Sequence, residues 1–388
     1  MREFWQEIKS FFRKGDMVLL MLCLATSAFG CLMVASATSA AKFGGSSRYM
    51  LVQFGATIIG LIAYIIISSI DADIYAEHRG VLTVIALGLI LMLIPFGTDN
   101  NTGNRSWIPL PIINIYVQPA EICKIFYILI MASVMSSHQN RISHIVSVGH
   151  MIIYLLLIAG LNYVVSSDLG VTLIFGAIFL GMFIAGGVHL GWTFGGLGAL
   201  AAAFPLIWAK FLSDEQKNRI LVLIMPEVVD PTGLDERWHS TQSLNSLTGG
   251  GMLGQGLFNG NRTQGGQLFA QHTDYIFASI GEEMGYVGCL LVIIMMLAII
   301  GRCIWVGSKS KDYMRRMICF GAAFALMFQV MINIGMCIGV MPVIGLTLPL
   351  ISYGGTSIIA TYAMLGLVSG VHARPAPRIH ARYIRAPL

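Results

Sequence analysis

Long apolar runs separated by short polar breaks make up most of this chain. A helix needs roughly 20 mostly apolar residues to cross the hydrocarbon core of a bilayer. Such stretches fall at about 17–39, 50–70, 80–96, 119–136, 147–165, 169–187, 189–212, 277–301, 315–340 and 347–371. One long polar interval, residues 213–276, lies between the seventh and the eighth. The pattern predicts an all-α polytopic membrane protein with about ten transmembrane helices and one large extracytoplasmic loop between spans 7 and 8. No fixed-period repeat and no two related halves are visible.

Composition agrees with a lipid environment. Of 388 residues, 56% are hydrophobic and 11% charged, against about 25% charged in soluble domains. Where the charges sit sets the orientation. Fifteen of the 24 basic residues fall on one face of a ten-span arrangement: four in the N-terminal tail, five between Arg302 and Arg316, four from Arg374 onward, and Arg79 and Arg141. Basic loops face the cytoplasm, so both termini are expected there, and the 213–276 loop outside. The seven cysteines lie in or beside apolar runs with no paired spacing, and read as small buried hydrophobes.

Three regions follow. Residues 1–16 carry Phe4, Trp5, Ile8, Phe11 and Phe12 at helical spacing between basic residues, the pattern of an amphipathic segment on the inner leaflet. A cleaved signal ending near Ala35-Ser36-Ala37 is the rival reading, and the length of the first apolar run favours an uncleaved span. Residues 17–372 form the membrane domain, and 373–388 a basic cytoplasmic tail.

Charged groups at membrane depth are costly and need partners or a function. Glu121 and Lys124 open the fourth span behind Pro119, three apart on one helix face; they are a self-neutralising pair or part of an outward cavity. Arg105 and Trp107 precede them in a turn-rich loop, where Trp suits the membrane interface and Arg meets lipid phosphates or a substrate. Asp168 sits in the very short connection before the sixth span, as its N-cap or as a site residue. Lys217 and Arg219 follow the seventh span. Gly249-Gly250-Gly251 with Gly254 and Gly256 permits close backbone approach to a ligand, or flexibility. Asp274 stands just before the eighth span beside His272. A carboxylate there is an N-cap, a base of raised pKa, or a cation ligand. Glu282 and Glu283, two turns on, pair with helix neighbours or line the same cavity. Two prolines and a Gly pair in Pro342–Ser357 predict a broken or kinked tenth span whose small residues allow close helix packing.

Four segments together resemble the SEDS family (shape, elongation, division and sporulation), which includes RodA and FtsW. They are Trp107-Ile108 with Gln118-Pro119-Ala120-Glu121-Ile122-Cys123-Lys124; Asp168-Leu169-Gly170; His272-Thr273-Asp274-Tyr275-Ile276-Phe277-Ala278 with Gly281-Glu282-Glu283; and Leu348-Pro349-Leu350-Ile351-Ser352-Tyr353-Gly354-Gly355. The resemblance runs from about 17 to 372. Departures are Ser166-Ser167 where the family has Gln-Pro, and Leu268-Phe269-Ala270-Gln271 where it has Leu-Pro-Glu.

The resemblance implies a peptidoglycan glycosyltransferase that polymerises lipid II at the outer face of the cytoplasmic membrane, beside a class B penicillin-binding protein. Asp274 matches the family's essential acid. The chemistry needs a base for the attacking 4-hydroxyl, positive charge for the leaving lipid pyrophosphate, and a place for both lipid tails. Asp274 is the candidate base or cation ligand. Lys124, Lys217 and Arg219 are candidates for the pyrophosphate, with a divalent cation (Mg or Mn) as a further one. Glu121 and Asp168 would orient Lys124 or share that cation, and Trp107 would cover the sugar. Neither an organic cofactor nor a nucleic-acid partner is expected. A lipid-precursor flippase or transporter, and a non-catalytic scaffold for the penicillin-binding protein, are the alternatives. Elongation, division and sporulation roles are not separated by the sequence.

Overall fold

The computed structural model describes residues 14–40, 43, 48–99, 104–110, 115–233 and 236–374. The amphipathic segment expected over 1–16 therefore lies outside the described residues except at its end, as does the basic tail after Arg374. Among the described residues, ten apolar helices form the body of the protein. Nine are long and apolar enough to cross a membrane: Met17–Ala37, Arg48–Ser69, Arg79–Phe96, Pro119–Ser137, Ile145–Ser166, Leu190–Lys210, Ile276–Lys309, Tyr313–Cys337 and Gly355–Ala373. The sixth, Leu169–Ala185, is shorter. The third is interrupted at Met92, and the fifth passes through a π turn at Leu156–Gly160.

The fourth, ninth and tenth spans are the most enclosed, whereas Thr193 is the one buried residue of the seventh. The second and tenth pack most intimately. Gly366 permits this approach, because a Cβ there would stand 2.8 Å from the Tyr64 carbonyl oxygen. Small residues also bring neighbours against the stretch before the tenth span: a Cβ on Gly30 would stand 2.7 Å from Leu350 O, and one on Gly170 2.8 Å from Ile344 O.

That stretch is broken, as its prolines and Gly pair predict, and the break takes up the whole start of the expected span. The tenth span, expected at 347–371, becomes helical only at Gly355, and 342–354 is irregular backbone. Irregular chain at membrane depth survives where protein buries it or a cavity hydrates it. Here the Ser352 hydroxyl accepts from Leu348 N (2.8 Å) and donates to Thr273 O (2.6 Å), and Tyr353 N donates to His272 O (2.8 Å). Two side chains of the ninth span hold further carbonyls.

The 213–276 interval is largely folded. It contains helices Asp214–Ile224, Pro226–Val229, Glu236–Gly249 and Asn261–Gln264. Ser213 and Gln216 close a reciprocal capping box on the first of these. The glycine-rich turn packs on protein. The eighth span breaks at Gly285 (φ 67°), and the carbonyls of Gly251 and Met252 accept from Tyr286 N and Val287 N beyond the break. Gly254 (φ 81°) lies so close that a Cβ would stand 2.1 Å from Glu283 O. Glu282 and Glu283 serve the same junction. Glu282 accepts from Arg262 N, Thr263 N and the Thr263 hydroxyl, while Glu283 accepts from Ser36 and Gln264. Neither lines the cavity described below.

A short antiparallel hairpin, β1 (Ile108–Leu110) and β2 (Ile115–Val117), is an addition that hydropathy did not predict, with Ile108 opposite Val117. At the other end of the helices, three arginines tie the body together. Arg302 grips Asp16 (2.9 Å), Arg315 is buried between Asp71 (2.8 Å) and Asp73 (3.0 Å), and Arg374 donates to carbonyls of Ser68, Ser69 and Ile70.

Candidate active site

A cleft of about 1260 Å³ opens at the end of the body opposite those arginines. Its walls come from segments far apart in sequence. The second span contributes Arg48 and Tyr49, the hairpin region Trp107 and Tyr116, and the fourth span Gln118 and Glu121. Asp168, the 214–224 helix with Glu215 and Arg219, the His272–Tyr275 run, Gln329 and the irregular Val343–Thr347 backbone complete it.

Asp274 is half-buried in this cleft, and its Oδ2 lies 3.7 Å from where a Gly345 Cβ would be. Its carboxylate accepts no hydrogen bond among the described residues. It is not the N-cap of the eighth span, whose cap residue is Tyr275. Burial pushes its carboxyl up to about 6; the Arg219 guanidinium opposes that rise and the Asp168 charge adds to it.

Asp168 is both cap and cavity residue. It accepts from Val171 N at the start of the sixth span, from the Ser106 hydroxyl (3.1 Å) and from Gln118 Nε2 (3.2 Å). Burial raises its pKa; the bonds from Val171 and Ser106 lower it, and the Glu121 charge raises it. Glu121 and Lys124 form a buried ion pair at 2.8 Å, with Glu121 on the cleft wall and Lys124 behind it. Lys124 also donates to Gln329 Oε1 (3.3 Å).

The remaining sequence candidates divide. Trp107 lines the cleft, and its backbone bridges to Thr98. Arg219 lines it too, paired with Glu215 and donating to Val343 O (3.4 Å). Lys217 is absent from the cleft wall and pairs with Asp214 at 3.0 Å, two residues from Arg219 and so on another face of the helix. Arg105 is exposed and donates to Gly97 O (3.0 Å), bracing the loop. Among the described residues, no group of three or more His, Cys, Asp or Glu side chains is arranged to hold a metal ion.

Several cleft residues escaped the sequence reading. Arg48 begins a span, where a basic residue reads as a boundary. Tyr49 meets His272 and Tyr353 edge-on, and His272 and Tyr353 are tilted to each other, with ring centroids 5.1–5.5 Å apart and Phe43 joining the cluster. His239 comes from the 236–249 helix, its pKa lowered by burial and then by Arg219. Gln329 and Asn333 sit mid-span, where single amides are usually packing details. A polar pair four apart in an apolar helix was the available signal.

The FtsW/RodA/SpoVE family model, described as cell cycle protein, matches residues 16–376. Among curated relatives, the peptidoglycan glycosyltransferase MrdB of Escherichia coli is 30% identical over 96% of this chain and 95% of its own. A probable peptidoglycan glycosyltransferase FtsW of Geobacter metallireducens is 32% identical over 92% and 95%. A chain solved in work on structural coordination of polymerization and crosslinking by a peptidoglycan synthase complex superposes with TM-score 0.77 at 27% identity, covering 94% of this chain and 99% of that one. The rod shape determining protein RodA of Thermus thermophilus shares the fold at TM-score 0.69 and 24% identity, over 94% and 98%.

Proposed function

The chain belongs to the FtsW/RodA/SpoVE family of cell cycle proteins, and on that premise we propose that it polymerises lipid II into glycan strands at the outer face of the cytoplasmic membrane. It is a multi-pass membrane protein and, by family, a peptidoglycan glycosyltransferase. One observation carries the finer reading. A carboxylate that accepts no hydrogen bond, with its pKa raised to about 6, faces a cleft that also contains Arg219 and Arg48.

Asp274 takes the proton from the 4-hydroxyl of the acceptor sugar. The freed oxygen attacks the anomeric carbon of the donor, whose bond to the pyrophosphate oxygen breaks. A base poised near the working pH combines the right protonation state with driving force for transfer. Arg219 and Arg48 face the departing negative charge, and preorganised cations in a partly dry cleft act there most strongly. Lys124 works from behind the wall, holding Glu121 and Gln329. Trp107 and the Tyr49–His272–Tyr353 cluster offer flat apolar faces to sugar rings.

Magnesium usually binds through one or two carboxylates plus substrate phosphates. Asp274 fits that mode as a lone protein ligand, and a divalent cation there would supply further charge for the pyrophosphate. The cleft lies at the ends of membrane helices, so both lipid tails stay in the bilayer during reaction. The basic cluster at the opposite end supports cytoplasmic termini. The kinship with a chain from a peptidoglycan synthase complex supports a class B penicillin-binding protein as partner.

The test is polymerisation of labelled lipid II by the full-length protein with and without that partner. Asp274→Asn is expected to lose about 100-fold or more of the rate; wild-type glycan ladders from this variant would remove Asp274 from the chemistry. Movement of lipid II between leaflets without ladders would favour a flippase. Absence of both activities in the wild type would favour a scaffold.

A further inference from the structure

We infer that Gln329 and Asn333 of the ninth span are positioning residues that set the placement of Asp274 relative to the Glu121–Lys124 pair, through the irregular backbone at Leu346 and Thr347. The inference rests on the reading of Asp274 given above and adds residues that touch none of the reacting atoms.

The two amides stand four apart, one turn, and so share a face of the helix. Asn333 is fully buried. Its Nδ2 donates to the main-chain carbonyl of Asp274 (2.9 Å) and to that of Leu346 (2.6 Å). One side chain therefore pins the chain just before the eighth span to the irregular segment. The Cys337 thiol, one turn further on, also reaches the Asp274 carbonyl (3.6 Å). Gln329 makes the matching bridge one turn earlier. Its Nε2 donates to Thr347 O (3.0 Å), and its Oε1 accepts from Lys124 Nζ (3.3 Å).

Consecutive carbonyls, at 346 and 347, are thus held by consecutive turns of one helix. The far arm of each amide ends on a different half of the site. Gly345 (φ 69°) sits immediately before these carbonyls and against the Asp274 carboxylate. A shift of the 345–347 backbone therefore moves the wall that keeps water from Asp274. Mere stabilisation of the fold does not require both amides to converge on adjacent carbonyls beside the two charged elements. Preorganisation does, because a catalytic group displaced by about 1 Å can lose about 100-fold in rate.

The experiment uses the full-length protein, with kcat, KM and the pH profile of lipid II polymerisation for Asn333→Ala, Gln329→Met and the double variant. Asn333→Ser, which keeps one short donor, serves as the conservative rescue. Both single variants are expected to lower kcat at least tenfold with KM changed less than twofold. In Asn333→Ala the acid limb should move down by at least half a pH unit, as water reaches Asp274, and Asn333→Ser should recover part of kcat. The double variant should lose less than the product of the single losses, since both amides act on one backbone segment. Equal loss through KM, an unmoved acid limb, or strictly multiplicative losses would overturn the inference. If Asn333→Ala does not fold, the Gln329→Met kcat and KM split with the Asn333→Ser pH profile decide it. Asp274→Asn, run alongside, separates the two failures. An active Asp274→Asn sinks the base assignment, whereas an inactive one beside normal Asn333 and Gln329 variants sinks only the positioning role.

Discussion

Replacing Lys124 by methionine keeps the volume of the side chain and removes its charge, which isolates the value of the Glu121–Lys124 pair. At 2.8 Å, two unit charges attract by about 6 kcal/mol at an effective dielectric near 20. Much of that is offset by the cost of taking both groups out of water. Both residues are about 5% exposed or less, so Lys124→Met leaves a carboxylate desolvated and uncompensated. Breaking one side of a buried pair costs about 3–5 kcal/mol, and the bond to Gln329 is lost as well. Adding Glu121→Gln removes the stranded charge, and neutral replacement of both members is often tolerated. Thermal unfolding of the full-length protein in detergent should therefore show a large drop for Lys124→Met that Glu121→Gln mostly repairs. Lipid II polymerisation should not follow stability. The double variant should remain at least about tenfold below wild type, because the site has lost the Glu121 charge on its wall and the Lys124 charge behind it. A double variant with wild-type polymerisation would refute the reasoning and reduce the pair to a structural tie.

The pH dependence of polymerisation should carry an acid limb with a midpoint at about 6, from Asp274, which Asp274→Asn removes along with most of the rate. The same group should leave a mark on stability. Its folded pKa is raised above its ordinary value, so the folded state holds the proton more tightly and the penalty for the buried charge exists above about pH 6. Asp274→Asn should then unfold at a higher temperature than wild type at pH 7.5, with the gap closing as pH falls from 6 towards 4; a pH-independent gap would contradict this. Gly254→Val places a Cβ against Glu283 O at a φ of 81°. It should cost about 2–3 kcal/mol, read as a lower unfolding temperature and faster proteolysis of the outer loop.

The membrane architecture was legible because hydropathy is the one signal that acts over whole spans. Each of the ten apolar stretches contains a helix, the sixth being 17 residues long. Legibility ended where polar contacts, and not hydropathy, decide the local path. The apolar run through Pro349 looks like span, yet it stays irregular because Asn333, Gln329 and Ser352 satisfy its backbone. Glu282 and Glu283 are costly in a span, and the sequence left them either paired with helix neighbours or lining the cavity. Their cost is met by the loop donors at Thr263, Arg262 and Gln264, which no local spacing announces. Of the site, Asp274, Asp168, Glu121, Trp107 and Arg219 do converge on one cleft. Lys217 and Arg105 fell elsewhere because a helix face and a loop brace were set by Asp214 and Gly97.

The three arginine ties at the far end have a consequence for traffic through the protein. An inward-facing state would have to unlock Asp16 from Arg302, strip Arg315 of both its aspartates, and detach Arg374 from the end of the second span. Stripping the buried Arg315 of its aspartates alone would cost several kcal/mol. Among the described residues the cleft is lined at the end away from these ties, so on the polymerase reading a lengthening strand would leave by the side from which its building blocks arrived.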